Sequence, residues 1–518
     1  MDQQDDYADI INTLNSFINF ERTGDYPAGE HGLGTMRMEI LLQHLNNPEK
    51  SFKVIHIAGT KGKGSIANYI SQLLIAYYKK KKNVGLFTSP HIQHLLERIQ
   101  VNGEPVKTTV FCSAAKLVFK YAKCMELRGN KPTYFEVLTA IAYKIFEMVG
   151  TKVAVIEVGV GGRLDATNVS TLQVAVSVIS TISRDHMEIL GNTLEEIAKE
   201  KAGIIRNDTP LVLSAQSEEA ERVIRNIAKE KNAQIKTFGK DFNIESNIKE
   251  AQEHDVESKL PASHFFAPIV RKESLNIKQE FLFPNITKHP LYSKNISTVF
   301  SVTTWKEQYP SVTISMLGEH QKMNAAAAIA AVTLYLEKIQ QSIHLKNTVI
   351  NLALNHFTLP ARIESIAKNP WIIIDGAHNI ASAWALSEVL TDSFAQNEKH
   401  LIFAVAEKKE WEDMLNLLLP IFKSVTFTSN GTERSVDPNN LAAWVQNHYS
   451  GKNKDTLVTR VEYNPVKSLG TTGVNLQSNT LIVATGSLYL AGTLRDYFVR
   501  NDTASSTTQD ILAAMAQV

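Results

Sequence analysis

Along the 518-residue chain, short β-branched apolar runs ending in glycine or another small residue alternate with stretches whose apolar positions recur every three to four residues. KVIHIAG is a run of the first kind. In the SIANYISQLLIAYY that follows, Ile66, Tyr69, Ile70, Leu73, Leu74 and Tyr77 fall at i, i+3, i+4, i+7 spacing, which predicts an amphipathic helix. KVAVIEVGVGG and VAVSVIS predict buried strands, and TLEEIAKEKAGII predicts a helix opened by a capping box of Thr193 and Glu196. Strand, glycine turn, helix, strand is the order of a parallel sheet with helices on both faces.

From Phe238 to Tyr309 the periodicity fades into Asn- and Lys-rich sequence, which predicts an extended or irregular insertion. Order returns in GEHQKMNAAAAIAAVTLYL, a strong helix, and NHFTLPARIES, with its proline, predicts a linker. WIIIDGAHN, HLIFAVA, SVTFTSN and TLIVATGSLYLAG then predict four strands of a second, smaller α/β domain. The expected division is 1–357, carrying the insertion at 238–309, then 358–500, then a tail at 501–518 with a short helix.

Composition narrows the picture further. The length exceeds what one hydrophobic core usually serves, so two or more domains are expected. Hydrophobic content of 44% and charged content of 21% are those of a globular protein, and a formal net charge of +1 makes no case for nucleic acid or membrane as a partner. The tetralysine Lys79 to Lys82 is read as cations at the end of the first helix, where unsatisfied carbonyls attract them. Cys112 and Cys124 are too few for a disulfide framework and suit a reducing compartment. The opening MDQQDDYADI lacks the basic and apolar regions of a signal peptide, and no apolar run approaches the ~20 residues of a membrane span. A cytoplasmic protein is expected, with neither nucleic acid nor membrane as a partner.

Candidate chemistry begins at HIAGTKGKGSIANYI, between the first strand and the first helix. A phosphate site needs converging backbone N–H groups, glycine where the chain passes close, and a cation. Gly59, Gly62 and Gly64 supply the first two and Lys63 the third, although the hydroxyl, Ser65, comes one place later than in the common P-loop.

The loop Gly59 to Ser65, together with FTSPHIQHLLERIQVNGEPV, TYFEVLTAIAY, IEVGVGGRLDATN, DHMEILGNTLEEIAKEKAGI, GEHQKMNAAAA, LPARIE, DGAHN and GSLYLAG in order, resembles the folylpolyglutamate synthase and dihydrofolate synthase family, a branch of the Mur-ligase-type amide-forming enzymes. The likeness runs from about residue 30 to 495, the insertion excepted. It implies an α/β fold with a large N-terminal P-loop domain of mostly parallel sheet and a smaller C-terminal Rossmann-like domain. It further implies ATP-dependent joining of a folate-type carboxylate to L-glutamate through an acyl phosphate, by a monomer whose partners are small molecules.

The same likeness assigns roles to residues. Gly59, Thr60, Lys61, Gly62, Lys63, Gly64, Ser65, Asn324, Arg362, Asp375 and His378 would bind ATP, with Arg362 reaching phosphate across the domain cleft. Ser89, Glu157 and His186 would hold magnesium. Lys201 matches a lysine that is carbamylated in related enzymes, which requires a neutral amine and so a depressed pKa. Lys63, Glu157, His186 and Lys201 are the expected catalytic set. Gly34 and Asp165 would meet the folate-type acceptor, either dihydropteroate or a reduced folate. Two departures stand out: Ala361 where the family often has glycine, and Arg184 where it often has an apolar residue. The alternatives are a dihydropteroate-only enzyme, a ligase of cell-wall nucleotides, and a nucleotide-binding regulator that has lost catalysis.

Overall fold

The computed structural model describes residues 3–23, 34–79, 81–245, 297–339, 344–368, 370–472 and 479–501. Its first sheet is built from β1 (Lys53–Ala58), β2 (Val84–Phe87), β3 (Ile99–Val101), β4 (Glu104–Pro105), β5 (Val153–Glu157), β6 (Val174–Ile179), β7 (Leu211–Leu213) and β8 (Ile235–Thr237). They lie in the order β4-β3-β2-β5-β1-β6-β7-β8. Pairing is parallel from β2 through to β8, while β3 and β4 form an antiparallel edge.

Alternation along the central strands feeds two cores. Ile55, Ile57 and Val155 face the helices Lys63–Tyr78 and Glu319–Ile339, whereas Val54, Ala154 and Ile156 face Met36–His44, Thr108–Glu126 and Tyr134–Met148. The helix Lys63–Tyr78 is covered on both sides, by the sheet and by Glu319–Ile339. The expected apolar stripe is therefore buried together with Ala67, Asn68 and Ser71, while Tyr77 is only half-buried and Tyr78 takes the inward position. The helix ends at Tyr78, one residue before the lysine run begins. The capping box of Thr193 and Glu196 forms as expected, with reciprocal bonds of 3.2 and 3.1 Å.

The segment read as irregular contains regular structure at both ends. β9 (Phe242–Glu245), β10 (Thr298–Thr304) and β11 (Gln308–Ile314) form an antiparallel sheet in the order β11-β10-β9. Its inward residues Phe242, Phe300, Val302, Val312 and Ile314 extend the first core. The β-branched and aromatic content of TVFSVTT carries this signal, and the polar sequence around it hides it. Residues 246–296 of the expected insertion, and the expected tail helix, lie outside the described residues.

The third sheet comprises β12 (Glu364–Lys368), β13 (Trp371–Ile374), β14 (Glu398–Phe403), β15 (Ser424–Phe427), β16 (Val458–Val461) and β17 (Thr480–Thr485). Their order is β12-β13-β17-β14-β15-β16, parallel except for β12. Its two faces carry separate cores, one with Ile373, Leu401 and Phe403, the other with Ile372, Ile402 and Ile482. Phe357 and Leu359 still pack on the first region's core, and Ala361 already belongs to the second. The chain thus changes allegiance within the segment LPAR.

Candidate active site

In an open parallel sheet, ligands gather beyond the carboxyl ends of the strands where neighbouring connections diverge. Here β1 is central, with β5 on one side and β6 on the other. The loops leaving these strands carry Gly59 to Ser65, the residues after Glu157, and Asp185 with His186.

The loop after β1 is fixed by its own backbone. Thr60 and Lys61 donate their amides to the carbonyl of Thr181 at 3.0 and 3.1 Å, and the Thr60 hydroxyl donates to the Ser183 carbonyl at 3.0 Å. These two amides therefore hold the loop, so the donors left for an anion are those of the helix that starts at Lys63. That helix has no side-chain cap, and its first-turn N–H groups have no intrahelical acceptor. Gly62 sits at φ 85°, where a Cβ would lie 2.4 Å from Asn324 Oδ1. Asn324 is thus brought against the loop from the helix Glu319–Ile339. Ser65 is buried in the first helical turn.

Glu157, only 4% exposed, accepts the Ser89 amide at 3.1 Å. Burial raises its pKa against the pull of Lys63, Arg362 and Arg98. His186 lies beyond β6 in a left-handed conformation, and its amide bonds to Asp185 Oδ1 at 3.1 Å. Burial lowers the His186 pKa, with Lys63, Lys201 and Lys409 acting in the same direction and Asp185 opposing. Lys201, 4% exposed, donates to the Gly59 carbonyl at 2.9 Å. Burial, then Lys63, brings its pKa down to about 7, so the environment expected to depress it is present. Arg184 is exposed.

Across the cleft, Asp375 accepts amides from Ile363 and Ala377 at 2.9 and 2.8 Å, so its carboxylate orders the turn that carries Arg362. His378 bonds the Gly376 carbonyl at 2.9 Å, and burial, then Lys409, drives its pKa down to about 4. Burial also brings Lys61 down to about 8, with Lys63, Arg362 and Lys409 adding to the effect and Asp185 opposing it. For Asp185 burial acts upward, but His186, Lys61 and Lys409 outweigh it and hold the carboxyl low.

Lys409 was not singled out by the sequence, yet its charge acts on Lys61, Asp185, His186 and His378. Its signal was present: it follows the expected strand HLIFAVA, at the carboxyl end where site residues collect. Lys61, Lys63, Lys201, Arg362 and Lys409 outnumber the nearby carboxylates Glu157, Asp165, Asp185 and Asp375. Such a cleft is electrostatically incomplete without a polyanion.

No cluster of three or more His, Cys, Asp or Glu side chains suited to a metal occurs among the described residues. Glu157 and Ser89 are adjacent, and they offer a carboxylate and a hydroxyl. That donor set fits magnesium, which binds through one or two carboxylates while phosphate oxygens and waters fill the remaining positions.

Gly34 and Asp165 lie beside this cleft, although the Asp165 charge reaches Lys201. They line a neighbouring pocket, with Phe20, Arg37 and Phe135 among its other walls. Both Asp165 oxygens already accept from its own loop, from Val160 N at 2.9 Å and from Thr167 N and Oγ1 at 3.0 and 2.6 Å. Asp165 therefore shapes this pocket by holding the GGRLDATN loop. Arg37 and Glu136, another buried pair missed in the sequence, close one wall with a 2.8 Å ion pair.

A model of the Mur ligase middle domain matches residues 101–332, and one of the dihydrofolate synthetase C-terminal domain matches 361–497. The "Dihydrofolate synthase/folylpolyglutamate synthase" of Bacillus subtilis is 30% identical over 468 residues, covering 90% of this chain and 94% of that protein. The "Dihydrofolate synthetase" of Saccharomyces cerevisiae is 29% identical over 477 residues, covering 89% of this chain and 97% of its own length. Folylpolyglutamate synthase of Mycobacterium tuberculosis, solved with ADP and AMPPCP, superposes with a TM-score of 0.75 at 26% identity, covering 96% of this chain and all of that one. Fold and site together define a two-lobed ATP-dependent amide ligase of the Mur type. Within that class, the chain belongs to the folylpolyglutamate synthase and dihydrofolate synthase family.

Proposed function

We propose that this protein is an ATP-dependent ligase that joins L-glutamate to the carboxylate of a pterin-bearing acceptor, forming ADP and phosphate. The observation that carries this reading is the convergence of Lys61, Lys63, Lys201, Arg362 and Lys409 on an uncapped helix start. The names of its relatives supply the acceptor class.

A carboxylate does not condense with an amine at neutral pH, because oxide is a poor leaving group. Attack of the carboxylate oxygen on the γ-phosphorus of ATP releases ADP and leaves an acyl phosphate. The glutamate amine then adds to the acyl carbon, and phosphate departs with the original carboxylate oxygen. The chain's contribution is positioning and charge compensation. First-turn amides from Lys63 onward and the Lys63 ammonium receive phosphate from one lobe, and Arg362 from the other. Lys61 and Lys409 offset charge around them. Glu157, Ser89 and His186 would hold magnesium, which supplies electrostatic stabilisation of phosphoryl oxygens when bound. A carbamate on Lys201 would add an anionic oxygen ligand, and the neutral amine it requires is favoured by the depressed pKa. Because the groups lie on both sides of LPAR, the lobes must close for reaction.

The acceptor, dihydropteroate or a reduced folate, sits in the pocket of Gly34, Phe135 and Asp165. That pocket opens on the loop that begins two residues after Glu157, so a carboxylate at its mouth lies beside the phosphate site. We assign residues 1–357 to nucleotide and acceptor binding and 358–500 to the closing lobe. We propose a monomeric cytoplasmic enzyme: the two free cysteines suit a reducing compartment, and no helix among the described residues is long and apolar enough to cross a membrane.

The test is ADP formation with dihydropteroate, with tetrahydrofolate, and with neither, each with and without glutamate. The reading expects turnover only when an acceptor and glutamate are both present, and the better of the two acceptors identifies the physiological one. ADP formation indifferent to both would support a regulator instead.

A further inference from the structure

The turn that presents Arg362 is held from both sides. Ala361 and Ile363, its two neighbours, adopt φ of 54° and 48° without being glycine, a conformation that persists only where surrounding contacts impose it. Each donates its amide to a buried carboxylate: Ala361 to Glu364 Oε2 at 2.8 Å and Ile363 to Asp375 Oδ2 at 2.9 Å. Asp375 stands on the site's own loop, whereas Glu364 opens β12 and is 4% exposed.

Glu364 is held in turn by Arg495, which is 1% exposed and lies on the helix Leu488–Asn501. Arg495 Nε bonds both carboxylate oxygens, at 3.0 and 3.1 Å. The same guanidinium donates through NH1 to the side-chain oxygen of Gln93. Gln93 belongs to the other lobe. It follows β2 by a few residues on the loop that carries Ser89, and beside it Ile92 packs into the second lobe's core. A Cβ on Gly492 would lie 2.6 Å from the Ile92 carbonyl oxygen, so the two backbones touch there. A chain of contacts thus runs from the Ser89 loop through Gln93, Arg495 and Glu364 to the amide next to Arg362.

A buried ion pair contributes little net stability relative to an apolar replacement, because desolvation offsets its attraction. What it supplies that a leucine cannot is a fixed acceptor at the Ala361 amide. We propose that Glu364 and Arg495 are positioning residues for the ligase reaction: they hold the left-handed turn that aims Arg362 into the cleft, and through Gln93 they tie that aim to the loop carrying Ser89. The proposal rests on the ligase reading above.

The experiment is steady-state ADP formation by the full chain and by Glu364→Gln, Arg495→Lys and Gln93→Ala, with KM for ATP and for the acceptor and a thermal midpoint for each. Glu364→Gln and Arg495→Lys are expected to lower kcat about tenfold or more, since small misplacements of a phosphate-facing group are costly. The acceptor KM should stay within about twofold, because the acceptor pocket lies wholly in the first lobe. Gln93→Ala leaves the ion pair intact and should lower kcat about threefold at an unchanged midpoint, with little further loss when added to Arg495→Lys. Wild-type kcat in both Gln93→Ala and Glu364→Gln would overturn the proposal, as would a loss that merely tracks the unfolded fraction. If Glu364→Gln does not fold, Gln93→Ala alone decides. Absence of turnover by the unsubstituted chain with either acceptor overturns the ligase reading and this proposal with it. Normal turnover with indifferent variants overturns only the positioning role.

Discussion

The Lys201 ammonium donates to the carbonyl of Gly59 at 2.9 Å, joining a helix of the first lobe to the first residue of the phosphate loop. The contact is buried beside Lys63, and the two cations disfavour each other. Asp185 and Asp165 offset part of this repulsion, and a neutral Lys201 or a bound anion relieves the rest.

The first expectation concerns pH. The Lys201 pKa falls from 10.5 to about 7 on folding, so between those values the unfolded chain binds more protons. Stability attributable to this residue therefore rises as pH increases from about 7 toward 10.5 and is lowest below 7. Lys201→Met should flatten that part of the profile, measured as the difference in thermal midpoint between pH 7 and pH 9. It should also abolish any activation by bicarbonate. An equal slope in both proteins, with activity intact, would refute the role given to Lys201.

The phosphate loop leaves no room at its first glycine. Gly59 has φ 142°, and a Cβ there would lie 1.9 Å from Ser180 Oγ. Gly59→Ala should cost about 2–3 kcal/mol of stability, from strain and overpacking together, measured by urea unfolding. A loss below about 0.5 kcal/mol would mean that the loop relaxes freely.

Ala361 occupies a left-handed position with φ 54° and no exposure. Glycine there would gain from relief of that conformation and lose from unfolded-state entropy and a missing methyl. Ala361→Gly should be neutral to within about 0.5 kcal/mol, where a buried alanine with ordinary φ would lose about 1. Ala361→Val, β-branched at positive φ, should cost more than about 2 kcal/mol. Calorimetry on the two variants checks both signs.

Lys409 acts on Lys61, Asp185, His186 and His378 without having been visible as a motif. Lys409→Ala should raise the His378 pKa above its value of about 4, because a neighbouring cation is removed, and NMR titration of the imidazole reads this directly. Activity should fall about ten- to hundredfold, the range for losing one charged contact. An unchanged His378 titration would place Lys409 outside the cleft.

Legibility differed by element for physical reasons. The strand KVIHIAG and the helix after it were readable because burial of one face imposes a period, and the Thr193–Glu196 box because capping needs fixed residue types. The same signature at Thr133 and Glu136 lies inside TYFEVLTAIAY, where the surrounding apolar residues mask the helix start. β10 and β11 were hidden by the polar sequence between them and β9. The loop glycines and the buried Lys201 follow from the family likeness, but Lys409, Arg37 and the Glu364–Arg495 pair depend on tertiary neighbours far away in sequence. Asp165 was placed at the acceptor by likeness, and only the hydrogen bonds show its oxygens engaged with their own loop.

Transfer of an oxygen atom tests the mechanism most directly. Dihydropteroate labelled with oxygen-18 in its carboxylate should, on turnover with ATP and glutamate, deliver one labelled oxygen to each molecule of inorganic phosphate released. Phosphate free of label, alongside formation of the glutamyl product, would contradict an acyl phosphate formed between Lys63 and Arg362.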